Sequence, residues 1–409
     1  MKKQDLSGIS RRDFLRITQR FGMSSTMLAL GGMAGVITVP SLAKAVESTW
    51  DRRHSKEARH TLRFGGQAFN ARNLLIERTG IPEFIFDLEE RTDGELRIEF
   101  IGDNQICGSL DCVTKAQEGI VDIFASSTQN AAGGAPYLNV LDYAFVFPSR
   151  ASQYHFFYHP ASDRILREPY ERMHGLKMLF THCELRGIML GNNWRDRDPV
   201  TSITELAGTR NRVTGTQLGR IAMDLMQLNP TPIAWEETLD GLRQGLIDGA
   251  ETWASAVAYA NMSPVVSQAI DLRFFCGTEH TAIRSQSFDM LSEELQNAMM
   301  ESAYLAQIAA QYANEAALVN TVGFSDPQLP NTIFAEHGTK AVMWDDDARR
   351  EAEEMCSPEF VPGPWEQWRE RINNWAGGID TYSEIHAIAR EVPRDMLAEN
   401  VEPRRWWRG

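Results

Sequence analysis

The sequence predicts an α/β protein of more than one lobe, and three observations carry that prediction. Its 409 residues exceed one ordinary core: at roughly 150 residues per domain, two or three lobes are expected. Strand-like and helix-like segments alternate along the chain, the pattern of a parallel sheet covered on both faces. A local echo relates Ala116-Gln-Glu-Gly119-Ile-Val-Asp122 to Leu242-Arg-Gln-Gly245-Leu-Ile-Asp248. In both copies a helical stretch stops at Gly, which accepts the left-handed backbone that other residues resist. Each copy then enters a short apolar strand through Asp, as two lobes of similar build would.

The elements follow in order. Residues 1–45 read as a secretory signal: Ser10-Arg11-Arg12-Asp13-Phe14-Leu15, an uncharged stretch from Phe21 to Leu42, and Ala43-Lys44-Ala45 at the end. The Arg pair marks the twin-arginine (Tat) form, with cleavage near Ala45. A transmembrane anchor is the competing reading, but the segment is rich in Gly, broken by Ser and Thr and closed by Pro40. Without the 7 basic and 2 acidic side chains of the signal, the mature chain carries 34 basic against 53 acidic groups, a net of −19. A linker over 46–58 precedes the first strand, Thr61–Gly65. A helix ending at Asp93-Gly94, a strand Leu96–Ile101, a helix Leu110–Glu118 and a buried strand Val121–Ala125 come next. Farther on, Ser292 caps a long helix lying between Asp289 and Gly323, with Glu293 and Glu294 favouring its first turn. Leu295, Ala298, Ser302, Leu305, Ala309, Tyr312 and Ala316 give that helix one expected buried stripe. The chain after Asp326 reads as a helical extension whose Trp365, Trp368, Trp375, Trp406 and Trp407 pack as a clasp.

Composition removes several functions. Hydrophobic residues make up 43% and charged ones 23%, as in a soluble globular chain. The net charge of −14 argues against nucleic acid as a partner, because phosphate contacts need clustered Lys and Arg. No dinucleotide-binding glycine motif, Walker loop or nucleophile elbow is present, and the nine His form no ligand pair. Asp345, Asp346 and Asp347 open a helix at Ala348–Met355, where acidic groups favour the first turn, so they are not read as a metal site. Neither cofactor, metal nor catalytic residue is expected. Cys107 and Cys112 flank a short loop and are candidates for a disulfide in an oxidising compartment. The pairing of Cys183, Cys276 and Cys356 stays open.

One stretch is more specific. Leu206-Ala-Gly-Thr-Arg210-Asn-Arg212-Val213 is followed by Asn229-Pro-Thr-Pro232-Ile-Ala-Trp235-Glu236-Glu237 and by Leu242-Arg-Gln-Gly245-Leu-Ile-Asp248-Gly249-Ala-Glu251. With Arg91-Thr-Asp-Gly94, Gln105 and Glu118-Gly119-Ile-Val-Asp122 upstream, this resembles the DctP-like solute-binding subunits of tripartite ATP-independent periplasmic (TRAP) transporters. The resemblance implies a two-lobe periplasmic binding protein fold with a long bridging helix and a helical C-terminal extension. It places lobe I at 59–182 plus 278–320, lobe II at 183–277 and the extension at 321–409. It also implies a small organic acid as ligand, the small and large TRAP membrane subunits as partners, and a periplasmic location reached through the Tat translocase. Two rivals are a Tat-exported redox enzyme and a receptor that hands its ligand to a sensor.

Arg212 occupies the family's carboxylate-binding position, and a guanidinium matches both oxygens of a carboxylate with parallel N–H donors. Arg186 falls where many members carry a second pocket Arg; a partner of Glu184 is its alternative reading. Ser127, Thr128, Gln129 and Asn130 follow one strand, and Phe69 and Asn70 another, and ligands of open α/β sheets bind beyond the carboxyl ends of strands. Trp253 is assigned to the pocket, Trp235 to the core, and Glu251 to positioning the lobes. If the export reading is right, replacing Arg11 and Arg12 together by Lys leaves the precursor in the cytoplasm. Normal periplasmic accumulation of that variant, followed by cell fractionation, would sink it.

Overall fold

The structure, a computed structural model, describes residues 57–66 and 79–408. Nine strands form one sheet: β1 (His60–Gly66), β2 (Leu96–Ile101), β3 (Ile123–Ser127), β4 (Leu176–Gly191), β5 (Arg210–Val213), β6 (Asn229–Pro232), β7 (Gly249–Thr252), β8 (Val266–Arg284) and β9 (Lys340–Val342). Of the helices, α1 (Gly80–Arg91) and α2 (Cys112–Gln117) serve the first half, and α3 (Gln217–Leu225), α4 (Trp235–Arg243) and α5 (Ala254–Tyr259) the second. Helix α6 (Glu293–Ala317) is the long one, and α7 (Asp346–Cys356) lies in the extension. Strand order is β2-β1-β3-β8-β4-β7-β5-β6, with β9 added beside β8.

The expected parallel pairing is found at the two ends and, beside β8, in the short β9. At the ends β2-β1-β3 and β7-β5-β6 pair in parallel, whereas β3-β8, β8-β4 and β4-β7 are antiparallel. The cause is the route of the chain. It passes from one half to the other along β4 and returns along β8, and an outgoing and a returning strand that pair side by side must run opposite ways. The boundaries expected at 182/183 and 277/278 fall inside these two strands. Their pairing slips between Arg186 and Ile188, where Ile270 and Phe275 are the partners and Asp271 to Phe274 bulge out. Gly187 faces that bulge, and a Cβ on it would lie 2.0 Å from the Ile270 carbonyl oxygen. Asp271 is held there by Arg273 at 2.6 Å and by Arg349 of α7 at 3.1 Å.

The sequence echo is a repeated junction. Asp122 accepts the Arg63 backbone N–H at 2.9 Å while the Arg63 guanidinium donates to the Gly119 carbonyl at 2.8 Å. In the other half Asp248 accepts the Arg210 N–H at 2.9 Å, and Arg210 donates to the Gly245 carbonyl at 2.9 Å. Both glycines have φ near +70° to +77°. Each half thus joins its helix end to its first parallel strand with the same three residues.

Ser292 caps α6 by accepting the Leu295 N–H at 3.3 Å, and Gly323 ends its last wide turn at φ 84°. The buried face differs from the expected stripe. Leu295 and Ser302 are buried, but Ala298, Leu305, Ala309, Tyr312 and Ala316 are only partly so, and Met299, Ala303, Ala306, Ala310 and Ala313 take the inner face. Amides share it: Gln307 accepts from Thr181 N–H at 2.8 Å and donates to its carbonyl at 2.8 Å, and Asn314 donates to the Cys183 carbonyl at 3.0 Å. A periodicity count that favours apolar residues discards such positions, although a buried amide with partners is as good a contact. Gln311 in turn ties the tail, donating to the carbonyls of Ala398 and Val401.

The extension also supplies a strand, since β9 pairs in parallel with β8. Trp365 and Trp406 are fully buried, and Trp368, Trp375 and Trp407 pack at the edge of the same core. Asp345 caps α7 through the Ala348 N–H at 2.8 Å, and no metal-binding cluster exists among the described residues. Replacing Gln307 by Leu strands two buried backbone groups of Thr181, so denaturant unfolding should show a loss of about 2–4 kcal/mol. A loss under about 1 kcal/mol would mean that apolar contact alone holds α6 to β4.

Candidate functional site

The site forms where strands of both halves end. From β5 come Arg212 and, one residue beyond Val213, Thr214; from the end of β7 come Thr252 and Trp253; from β3 comes Ser127, with Asn130 in the turn that follows. Arg186 enters from β4, and Trp235 and Tyr259 enter from α4 and α5. Together they line a cavity of about 20 Å³. Two contacts join the halves beside it. Asn139 accepts from the Thr216 hydroxyl at 3.2 Å and from the Gln217 N–H at 3.3 Å, and Ser109 donates to Glu236 at 3.5 Å.

Charge in this cleft is concentrated in three side chains exposed by no more than 2%: Arg186, Arg212 and Glu251. Arg186 makes a two-pronged contact with the Glu251 carboxylate, its Nε to one oxygen and its Nη2 to the other at 3.0 Å. Its guanidinium also lies 4.8 Å from the centre of the Trp253 ring, a favourable cation–π distance. Arg212 has no such partner. Its Nε donates to the Ile233 carbonyl at 3.2 Å and its Nη1 to the Glu251 carbonyl at 3.4 Å, and among the described residues no carboxylate forms an ion pair with it. The Trp235 ring covers it at 5.3 Å. Burial pulls the Arg212 pKa down to about 10; Glu251 counteracts the shift and Arg186 adds to it. Arg212 still carries its proton at neutral pH. Two further polar atoms on the wall, Trp253 Nε1 and Thr214 Oγ1, are buried without a hydrogen-bond partner.

The structure therefore gathers Arg212, Arg186, Trp253, Ser127 and Asn130. Gln129 is not among them. Its amide points inward, donating to Asp142 at 2.6 Å and to the Cys276 carbonyl. Residues three apart share a face of a helical turn, so Ser127 and Asn130 stand together while Gln129 is turned away. Phe69 and Asn70 lie outside the described residues. Trp235, expected in the core, stands half-buried on the cavity wall. Glu184 is not the partner of Arg186; it accepts from the Ala254 and Ser255 N–H groups and the Ser255 hydroxyl, at the start of α5. Thr214, Thr252 and Tyr259 are additions. The strand-end rule that selected Ser127 would also have selected Thr214 and Thr252, but nothing in the sequence turns Tyr259 inward.

Cys107 and Cys112 are bonded to each other, and Cys183, Cys276 and Cys356 are buried free thiols. The bonded pair lies over Gly65 of β1, where a Cβ would meet the Cys107 sulfur at 2.8 Å. Gly65 pairs with Phe124 as Arg212 pairs with Ala250, so the two occupy equivalent places in the two halves.

Among the described residues, Arg212 is thus a buried cation without an ion-paired carboxylate, set in a cleft between two halves of similar build. The model of the bacterial extracellular solute-binding proteins, family 7 (DctP), matches residues 73–321. The chain belongs to that family. This DctP-family receptor is 28% identical over 259 residues to the 2,3-diketo-L-gulonate-binding periplasmic protein YiaO of Escherichia coli, a match covering 61% of this chain and 73% of that one. It is 20% identical over 301 residues to the ectoine-binding periplasmic protein TeaA of Halomonas elongata, covering 71% and 83%. Among solved structures, a TRAP periplasmic solute-binding protein of Polaromonas bound to D-erythronate superposes with a TM-score of 0.65 at 18% identity, covering 81% of this chain and 99% of the other. DctP7 of Bordetella pertussis, which binds pyroglutamic acid, gives 0.64 at 16% identity, covering 79% and 99%. These two share the fold. Among the described residues of the receptor no helix is long and apolar enough to cross a membrane.

The pairing changes what a substitution at Arg186 does. Arg186→Ala leaves the Glu251 carboxylate buried without its cation, so the ligand-free protein should lose about 3–5 kcal/mol in denaturant unfolding. An unfolding curve that matches wild type would show that the pair is not formed in solution.

Proposed function

We propose that this receptor captures a small organic carboxylate between its two lobes and hands it to the small and large membrane subunits of a TRAP transporter. The single observation that carries the reading is Arg212, a buried guanidinium whose only hydrogen-bond partners among the described residues are carbonyl oxygens. A carboxylate offers the planar pair of acceptors that a guanidinium fits, and water exclusion strengthens the contact. The acids named with solved family members, among them galacturonate, succinate and D-erythronate, share that group. Catalysis is not part of the proposal.

Arg212 anchors the carboxylate while Ser127, Asn130 and Thr214 meet polar groups on the ligand body and Trp253, Trp235 and Tyr259 flank it. A cavity of about 20 Å³ holds one water, which needs roughly 10–15 Å³, so the lobes part to admit an organic acid and close over it. The slip in β4 and β8 at Gly187 is the natural place for that bend. The lobes, lobe I at 59–182 plus 278–320 and lobe II at 183–277, change over within the same two strands, a few residues from that slip. Export by the Tat route with cleavage near Ala45 brings the receptor to the periplasm, where the Cys107–Cys112 bond is stable.

A thermal-shift screen of organic acids tests the reading, since a ligand at 100 times its Kd stabilises the folded state by about 2.7 kcal/mol. With the best acid, calorimetric titration should show Arg212→Lys weakened by about 2–4 kcal/mol, because the charge stays and the planar fork is lost. Arg212→Ala should give no measurable heat. Wild-type affinity in Arg212→Ala would end the carboxylate reading.

A further inference from the structure

We infer that Glu251 sets the charge of the ligand, so that the cleft takes a monocarboxylate and rejects the matching dicarboxylate. The inference rests on the reading above and adds the ligand class. Among the described residues the charged side chains at the cavity are Arg212 and Arg186 on its wall and Glu251, which Arg186 holds beside it. Arg186 and Glu251 neutralise each other through two contacts, which leaves one unmatched positive charge on the described wall. Ser127, Asn130, Thr214 and Thr252 contribute hydroxyls and an amide, and Trp235, Trp253 and Tyr259 contribute rings.

Glu279 of β8, the buried partner of Ser127 in the β3–β8 ladder, is engaged in an interaction of its own and does not line the cavity, and the other acidic groups nearby are likewise off its wall. Asp142 lies behind Gln129 and Glu184 caps α5, neither on the cavity wall, and burial raises both pKa values to about 7. Glu236 is exposed beside Ser109. One carboxylate on Arg212 therefore balances the charge of the described wall. A second carboxylate would have to win Arg186 from Glu251, leaving Glu251 buried without a cation, or be buried unpaired itself, and either is strongly unfavourable. The unpartnered Trp253 Nε1 and Thr214 Oγ1 are a donor and a hydroxyl, groups that suit uncharged oxygens on the rest of the ligand.

The experiment uses the mature receptor and pairs of acids that differ by one carboxylate: gluconate and glucarate, galactonate and galactarate, succinamate and succinate. Thermal shift followed by calorimetry should show the monocarboxylate of a pair binding at least about 100-fold more tightly. In Glu251→Gln, which frees Arg186, the preference should narrow at least tenfold and the dicarboxylate should gain in absolute affinity. Equal or tighter dicarboxylate binding by wild type overturns the inference and leaves the carboxylate reading standing. A monocarboxylate preference that Glu251→Gln does not change overturns the role of Glu251. Failure of every acid to bind removes both readings. Should the variant not fold, the wild-type comparison decides alone.

Discussion

Burying a guanidinium is costly unless anions or acceptors meet it, and this cleft buries two of them around one carboxylate. That imbalance organises the site. Glu251 is used up on Arg186, backbone carbonyls of Ile233 and Glu251 orient Arg212, and aromatic rings cover both cations. What is left over among the described residues is a single positive charge at the end of β5, held by those carbonyls. Contacts that fix a side chain in advance lower the cost of any later binding.

The scaffold that presents this charge depends on two strands crossing in opposite directions. Because β4 and β8 belong to both halves, Arg186 of β4 reaches Glu251 of β7 beside it, while Gln307 and Asn314 of α6 pin the other side of β4 at Thr181 and Cys183. The slip at Gly187 interrupts the ladder directly after Arg186, beyond both attachments. Arg349 reaches the same bulge from the extension, so the chain beyond α6 is attached to the middle of the molecule as well as to its rim.

Local signals in the sequence were good guides to local structure. The strand at Leu96–Ile101, the cap at Ser292 and the Gly119 and Gly245 junctions all follow from residue chemistry within a few positions of each other. Arg212 was singled out through resemblance to a family and not through any property of an isolated Arg. What escaped notice depends on distant pairing. Arg186 and Glu251 stand 65 residues apart and meet only because β4 and β7 are neighbours. The inward turn of Gln129 depends on Asp142 and Cys276, and the buried face of α6 depends on which backbone groups its amides find. The antiparallel centre of the sheet likewise follows from the route of the chain, which no single segment encodes.

The repeated Arg-Asp-Gly junction makes the two halves comparable position by position, and two residues beyond each Arg the comparison breaks. One half has Gly65 there, beneath the sulfur of Cys107; the other has Arg212. The disulfide loop occupies the volume that a long side chain would need, so the first half could not carry a matching cation without losing that loop. Duplicate architecture has thereby become a division of labour. One half carries the charge, and the other is smooth at the equivalent point.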